Sequence, residues 1–176
     1  MWENGNAESI GKPAPTIQQQ GANVGLAVSV REGITPEHLA DVYADPFIAR
    51  ISHDGRAHSP VNHPLATYLT ATVEDVFAGA FLAIRTSNLE IDLHALLKPA
   101  FHRHSRALGA AFIEWAFAQP GVERVSANIC EGLESVRNYC LKLGFVQEGF
   151  KRRAFSKNGA IGGVYMMGLT RPDWGK

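Results

Sequence analysis

Residues 89–109 read LEIDLHALLKPAFHRHSRALG, and this stretch decides the fold prediction. Every second residue from Leu89 to Leu97 is apolar, which is the period of a β-strand. One face of that strand instead carries Glu90, Asp92, His94 and Leu96. Pro99 cannot continue a strand ladder, and apolar residues then recur at helical spacing. We therefore predict a strand over 89–97 and a helix of about four turns over roughly 104–118.

The remaining patterns surround this pair with further strands and helices. Thr35 and Pro36 mark a helix start, with Thr35 as the N-cap, and Gly144 lies where a C-cap glycine is expected. The order β, α, an unclear segment, β-β-β, α, β, α, β-β predicts an α/β (α+β) fold, whose mixed, mostly antiparallel central sheet has helices on both faces. Further strands are predicted over 24–30, 68–73, 76–85, 122–129, 145–155 and 163–170, a further helix over 135–143, and the unclear segment over 47–64.

Composition is typical of a one-domain globular protein. The chain has 176 residues, 45% of them hydrophobic, and we assign 22–176 to one domain. Residues 1–21 are polar and predict a flexible N-terminal arm, or else an arm that docks on another subunit in a homo-oligomer or larger assembly. Seventeen basic residues balance 17 acidic ones, so neither a nucleic acid nor a membrane is expected as partner. Cys130 and Cys140 lack metal-ligand spacing, which predicts no metal and a reducing, cytoplasmic setting.

Three segments resemble the GNAT superfamily of acyl-CoA-dependent N-acyltransferases. Residues 90–99 (EIDLHALLKP) resemble its central strand and terminating proline, residues 141–149 (LKLGFVQEG) its "KLGF..EG" signature, and residues 158–174 its closing hairpin. The likeness is greatest to the branch that acetylates the N-termini of ribosomal proteins, and to the phage-encoded relatives of that branch. The resemblance implies a GNAT-like fold and direct transfer of an acetyl group from acetyl-CoA to an amine, either a protein N-terminus or a small amine.

The resemblance places the CoA pyrophosphate after the central strand, where a helix start offers free N–H groups and a positive dipole end. That segment is basic in a protein of zero net charge, and an ordinary solvated helix start is the alternative. The family pattern Gln/Arg-x-x-Gly-x-Gly/Ala fits in two registers, beginning at His102 or at His104, and neither supplies the first glycine. A Cβ there hinders phosphate, and arginines would compensate by direct pairing. The implied CoA-binding residues are Leu96 and Leu97, through their N–H groups, and His102, Arg103, His104, Ser105, Arg106, Ala107, Leu108 and Gly109.

Acetyl transfer to an amine requires a base for the acceptor and a proton donor for the departing thiolate. Glu90, Asp92 and His94 share one face of a strand that we expect to be central in the sheet. An unpaired charge is costly at such a position. We therefore predict a polar cleft in which Asp92 or His94 acts as base through water; a solvated edge strand or a structural polar network is the alternative. The family's donor tyrosine falls on Cys140, so Tyr139 and Ser135 are the candidates. Packing is the other interpretation of Tyr139.

Two further features leave alternatives open. The histidines His53, His58 and His63, with Asp54, are interpreted as exposed loop residues, or as residues that line the acceptor's entrance. The missing loop glycine, the displaced tyrosine and the polar arm favour a second hypothesis for the whole chain. In it, the chain is a catalytically inactive GNAT-like structural or interaction protein, such as a phage virion component.

Overall fold

The computed structural model describes residues 27–52 and 59–175, which form one seven-stranded sheet with helices on both faces. The predicted arm over 1–21 lies outside the described residues. Two 3₁₀ helices, at Pro99–His104 and Arg171–Asp173, accompany the main elements. In chain order these are β1 (Val28–Glu32), α1 (Pro36–Ala44), α2 (Pro46–Ser52), β2 (Ala66–Val73), β3 (Val76–Arg85), β4 (Glu90–Leu97), α3 (Ser105–Ala118), β5 (Arg124–Cys130), α4 (Glu134–Lys142), β6 (Val146–Lys157) and β7 (Ala160–Thr170).

β4 is the middle strand of the sheet, whose order is β1-β2-β3-β4-β5-β7-β6. Each pair of neighbouring strands is antiparallel except β4 and β5, which run parallel. The predicted mixed, mostly antiparallel sheet with a central strand over 89–97 is thereby confirmed.

β4 and β5 pair at one end only and separate at the other. Their register runs from Glu90 opposite Arg124 to Asp92 opposite Ser126 and stops there, although both strands continue. At the far end of β4, the N–H of Lys98 donates to a β3 carbonyl oxygen. Because main-chain groups point alternately to the two neighbours of a strand, the amides of Ala95 and Leu97 face the gap beside β5, and that of Leu96 faces β3.

Two hydrophobic cores lie on opposite faces of the sheet. α3 and α4 cover the face that carries Ile91 and Leu93. α1 and α2 cover part of the other face, where Ile48 packs with Leu96. Asp92 shares that second face with Leu96, because side chains alternate along a strand. Across 27–52 and 59–175 there is no helix with both the length and the hydropathy that crossing a membrane requires.

Local signals explain where the helices begin and end. The hydroxyl of Thr35 accepts the N–H of His38, which confirms the predicted cap of α1. Gly144 has φ +93°, the left-handed conformation of a C-cap glycine, and is also confirmed. α2 was not predicted, because the segment over 47–64 gave no clear period. Its start nevertheless had a signal: Pro46 occupies the first turn, and Oδ1 of Asp45 accepts the N–H of Phe47 at 2.8 Å.

Candidate active site

A cavity of about 480 Å³ fills the gap between β4 and β5 on the α3–α4 face, and we name it the donor cavity. Its strand walls are apolar and include Leu93, Ala95, Leu97, Ala127 and Ile129. Another part of its wall is basic, with His102, Arg103, Arg106 and Lys142. None of the described lining residues is acidic. An elongated ligand with an apolar arm and an anionic group fits this wall chemistry.

The basic segment after β4 is a 3₁₀ helix that runs directly into α3, and not an open loop. The N–H of Ser105 donates to the carbonyl oxygen of His102, so this amide already has a partner. Nε of Arg103 donates to Nε2 of His104 at 2.7 Å. Arg103 and Arg106 both line the donor cavity. Because the amide of Ser105 is bonded, the guanidinium groups of Arg103 and Arg106 are the candidate anion-binding groups of this segment.

The backbone groups that face the gap differ from those predicted. Leu96 was predicted to offer its N–H to a bound carbonyl, but that amide faces β3, and the side chain is buried beneath α1 and α2. Ala95 and Leu97 present their N–H groups instead. The carbonyl oxygen of Leu97 accepts a hydrogen bond from the imidazole Nε2–H of His102, at 3.1 Å.

The two registers of the phosphate-binding pattern have different surroundings. The earlier register includes Ser105, which lines the donor cavity, and Ala107, which is exposed. The later register depends on Gly109, which is buried a turn inside α3 beneath Tyr139. The side chain of Leu108 is fully buried in the core and faces no cavity. The geometry therefore favours the earlier register, in which serine stands where the family has glycine.

Tyr139 reaches the wall of the donor cavity, but its hydroxyl is engaged. It donates to the carbonyl oxygen of Ser105 at 3.0 Å and so fastens α4 to the first turn of α3. Burial raises the pKa of this phenol above its ordinary range, and it raises the pKa of the neighbouring Cys140 thiol to about 12. Both groups therefore stay protonated at neutral pH. This geometry agrees with the packing interpretation of Tyr139. Ser135 lines the same cavity.

Asp92 and His94 lie side by side on the α1–α2 face of β4, at ion-pair distance. Oδ2 of Asp92 lies 3.3 Å from Nε2 of His94, whose side chain is 45% exposed, whereas that of Asp92 is 15% exposed. Oδ1 of Asp92 accepts the hydroxyl of Ser126 at 3.3 Å, and Nδ2 of Asn128 lies 3.5 Å from it. A carboxylate this close to Nε2 favours the tautomer that is protonated there, which leaves Nδ1 as the proton acceptor of the ring.

Glu90, the third polar residue of this strand face, belongs to a separate ion network. Its Oε1 lies 3.1 Å from Nε of Arg124, which also pairs with both carboxylate oxygens of Glu148. The hydrogen bond from Arg124 lowers the pKa of Glu148, and the two carboxylates raise the pKa of Arg124. Glu90 therefore has a structural role and leaves Asp92 as the carboxylate of the cleft.

A second cavity of about 580 Å³, which we name the acceptor cavity, lies at the end of β5, and neither Asp92 nor His94 lines it. Cys130 of β5 lines it, and this residue alternates onto the same face as Ser126 and Asn128. Ile51 of α2 lines both cavities, so the two approach each other at this residue. The other walls come from the β5–α4 turn and from the tip of the β6–β7 hairpin.

Several site residues were missed by sequence reasoning. Ser126 and Asn128 had a usable signal, since they alternate with apolar residues in the predicted strand over 122–129. Phe47 and Ile51 line the donor cavity from a helix that was not predicted. His63 is exposed, and His53, His58 and Asp54 lie outside the described residues. No cluster of three or more His, Cys, Asp or Glu able to hold a metal ion occurs within 27–52 and 59–175.

Comparison with known proteins identifies the architecture. No protein-family model and no curated protein sequence matches the chain. Among solved structures, a spermidine N-acetyltransferase from Vibrio cholerae in complex with CoA and spermine has a TM-score of 0.72 at 12% identity, over 83% of this chain and 96% of that one. A probable acetyltransferase of the GNAT family from Chromobacterium violaceum has a TM-score of 0.73 at 16% identity, over 99% and 100% of the two chains. With the parted β4 and β5, these likenesses show that the chain has the fold of the GNAT acyl-CoA acyltransferases.

Proposed function

We propose that this protein is an N-acetyltransferase that moves an acetyl group from acetyl-CoA directly to a primary amine. One observation carries the proposal: the central sheet opens between β4 and β5, the donor cavity fills this gap, and Ile51 joins it to a second cavity of different chemistry. The donor cavity joins an apolar wall to a basic one, as a CoA thioester requires. The Asp92–His94 pair lies on the other face, where an amine would have to lose a proton.

The residues of the donor cavity suit acetyl-CoA as a substrate. Arg103 and Arg106 would pair with its phosphate oxygens, and the apolar walls of β4 and β5 would contact its uncharged arm. The N–H groups of Ala95 and Leu97 are the donors available for the thioester carbonyl oxygen as negative charge develops there.

On the acceptor side, the amine must be neutral before it attacks. We assign proton removal to Nδ1 of His94, with Asp92 on Nε2 holding the ring and stabilising the imidazolium. A C–N bond then forms and the C–S bond breaks. The second proton of the attacking nitrogen passes through water to the departing thiolate, because the hydroxyl of Tyr139 is engaged with Ser105. Deprotonation at pH 7 costs about 1 kcal/mol for an α-amine near pKa 8 but roughly 4–5 kcal/mol for a lysine, so an exposed histidine base favours an α-amine.

Binding of CoA tests the donor half of the proposal. Calorimetric titration should detect CoA binding to the wild type, weakened about tenfold by either Arg103→Ala or Arg106→Ala, since each removes a charge-assisted hydrogen bond. Arg31→Ala is the matched control, because Arg31 is an exposed arginine on β1 and lines neither cavity. A wild type that does not bind CoA would rule out the proposal.

Turnover tests the acceptor half. Thiol release from acetyl-CoA in the presence of an amine should fall roughly 100-fold in His94→Gln and in Asp92→Asn, while the CoA dissociation constant stays the same. His63→Gln, an exposed histidine outside both cavities, serves as control. Wild-type turnover in both active-site variants would contradict the assignment of the pair.

A second candidate function is the non-catalytic structural or interaction protein. It is favoured by one specific observation, the 3₁₀ turn in which the N–H of Ser105 is already bonded and no glycine opens the backbone to phosphate. This candidate predicts no CoA affinity, so the same titration separates the two functions.

The finer assignments from the sequence also remain proposals. These are an acceptor that is a protein N-terminus, a relation to the ribosomal-protein branch and its phage-encoded members, and a cytoplasmic location. A homo-oligomer is proposed as well. One structural neighbour is a dodecameric spermidine N-acetyltransferase, with a TM-score of 0.65. Light scattering of the purified full chain would test this last point.

A further inference from the structure

We infer that the acceptor is a primary amine attached to an apolar, uncharged group, and not a polyamine. This inference rests on the proposed function and specifies the acceptor class for the same site. The amine would lie at Asp92 and His94, and the group attached to it would extend along β5 past Asn128, which lies 3.5 Å from Asp92, to the acceptor cavity at Cys130. The N-terminal residue of a peptide with an apolar side chain and a small apolar monoamine share this chemistry.

The walls of the acceptor cavity are mainly apolar. Ile51 contributes from α2, Leu133 from the turn before α4, and Phe155 and Ile161 from the hairpin tip. The ring of Phe155 packs over Gly162, where a Cβ would lie 2.5 Å from it. Apolar surface of this extent gains free energy when a ligand covers it with apolar groups, and the short methylene segments of a polyamine do this poorly because burying them would also desolvate the charged amines between them.

The charges of the acceptor cavity do not favour a polycation either. Glu131 is the one acidic side chain among its described lining residues, and its Oε2 already accepts the N–H of Gly163 at 2.8 Å. Lys157, at the hairpin tip, lines the same cavity and donates its ammonium to the carbonyl oxygen of Arg50. The charges of Lys157 and Glu131 offset each other, so the acceptor cavity offers no net attraction to a ligand with several positive charges.

The Asp92–His94 pair, in contrast to the acceptor cavity, can bind one cation. The carboxylate of Asp92 lies in the cleft beside His94, at the point where β4 and β5 separate. One ammonium group can pair with it before deprotonation, and the single carboxylate among the described residues that line the acceptor cavity, that of Glu131, is offset by Lys157. The site thus matches one charge next to one apolar group.

Acceptor competition tests this inference. With acetyl-CoA as donor, we expect phenylethylamine and a short peptide with N-terminal leucine to be acetylated at least about tenfold more efficiently, in kcat/KM, than spermidine. The same peptide with N-terminal aspartate should be a poor substrate. The two preferred acceptors also separate a small amine from a peptide N-terminus by their relative kcat/KM. Higher kcat/KM for spermidine than for both apolar amines would overturn the inference.

A substitution in the cavity provides an independent check. Ile161→Asp puts a carboxylate on the wall and should raise KM for phenylethylamine about tenfold while lowering the preference over spermidine. Ile161 is 55% exposed, so its replacement spares the core. Val76→Asp is the matched control, because Val76 is 56% exposed at the tip of the β2–β3 hairpin and lines neither cavity. An unchanged preference in Ile161→Asp would contradict the inference.

Failure of the proposed function would give a different result from failure of this inference. If no amine is acetylated, the enzyme proposal fails, and calorimetry of the amines alone decides the chemistry of the cavity. Binding of phenylethylamine in preference to spermidine would still show that the acceptor cavity selects an apolar amine. Tighter binding of spermidine would overturn it.

Discussion

Replacing Gly109 with alanine sets two well-known effects against each other. Gly109 is an interior residue of α3, where alanine normally stabilises a helix by about 1 kcal/mol relative to glycine. In this fold, however, a Cβ at Gly109 would lie 2.2 Å from the hydroxyl oxygen of Tyr139 and 2.7 Å from Cδ1 of Leu143. Both distances are far shorter than a van der Waals contact, so α3 and α4 would have to move apart.

The steric effect should be the larger of the two. Overpacking a core typically costs about 1–3 kcal/mol. Neither neighbour can yield easily, because the hydroxyl of Tyr139 donates to Ser105 and the side chain of Leu143 is buried. Displacing Tyr139 would also weaken that hydrogen bond, which is worth about 1 kcal/mol. We therefore expect Gly109→Ala to lower the free energy of unfolding by about 2 kcal/mol, equivalent to a melting temperature roughly 4–8 °C lower for a chain of this size.

Urea unfolding followed by circular dichroism measures this change. Tyr139→Phe removes the atom nearest to the new Cβ, so the double variant should lose about 1 kcal/mol less than the two single variants together. Ala107→Gly, at an exposed position of the same helix, measures the propensity effect alone. If Gly109→Ala is as stable as the wild type or more so, the close packing of α3 on α4 is refuted.

Two further predictions concern titratable groups. The hydrogen bond from Arg124 lowers the pKa of Glu148 in the folded state. The pair therefore stabilises the fold at pH values above the unfolded-state pKa of about 4.3. This stabilisation is lost as pH falls through the lower folded-state pKa. Urea unfolding at several pH values should accordingly show the wild type more stable than Glu148→Gln near pH 7, with the difference shrinking below about pH 4; a constant difference would speak against the pair. Burial raises the pKa of Cys140 to about 12, so only about one thiol in 10⁴ is ionised at pH 8, and mass spectrometry should find Cys140 alkylated by iodoacetamide only after denaturation. Rapid alkylation of native Cys140 would show that α4 does not shield it.

Local patterns were sufficient for most of the secondary structure. The alternation over 89–97, the cap at Thr35 and the C-cap glycine at Gly144 each depend on residues close together in the chain, and the structure confirms all three. α2 was missed because it has only seven residues, fewer than two full turns of an amphipathic pattern, although Asp45 and Pro46 marked its start.

Most residue types of the candidate site could also be predicted from the sequence, because the polar face of β4 and the basic segment after it are adjacent in the chain. The sequence by itself determined that Asp92 and His94 share a face, because strand side chains alternate. Only the tertiary structure decided that β5 leaves β4 after Asp92, that Ala95 rather than Leu96 faces the gap, and that the hydroxyl of Tyr139 is bonded to Ser105. Each of these features depends on which strand or helix lies beside the residue. Such contacts join positions far apart in the chain, and a local sequence pattern contains no information about them.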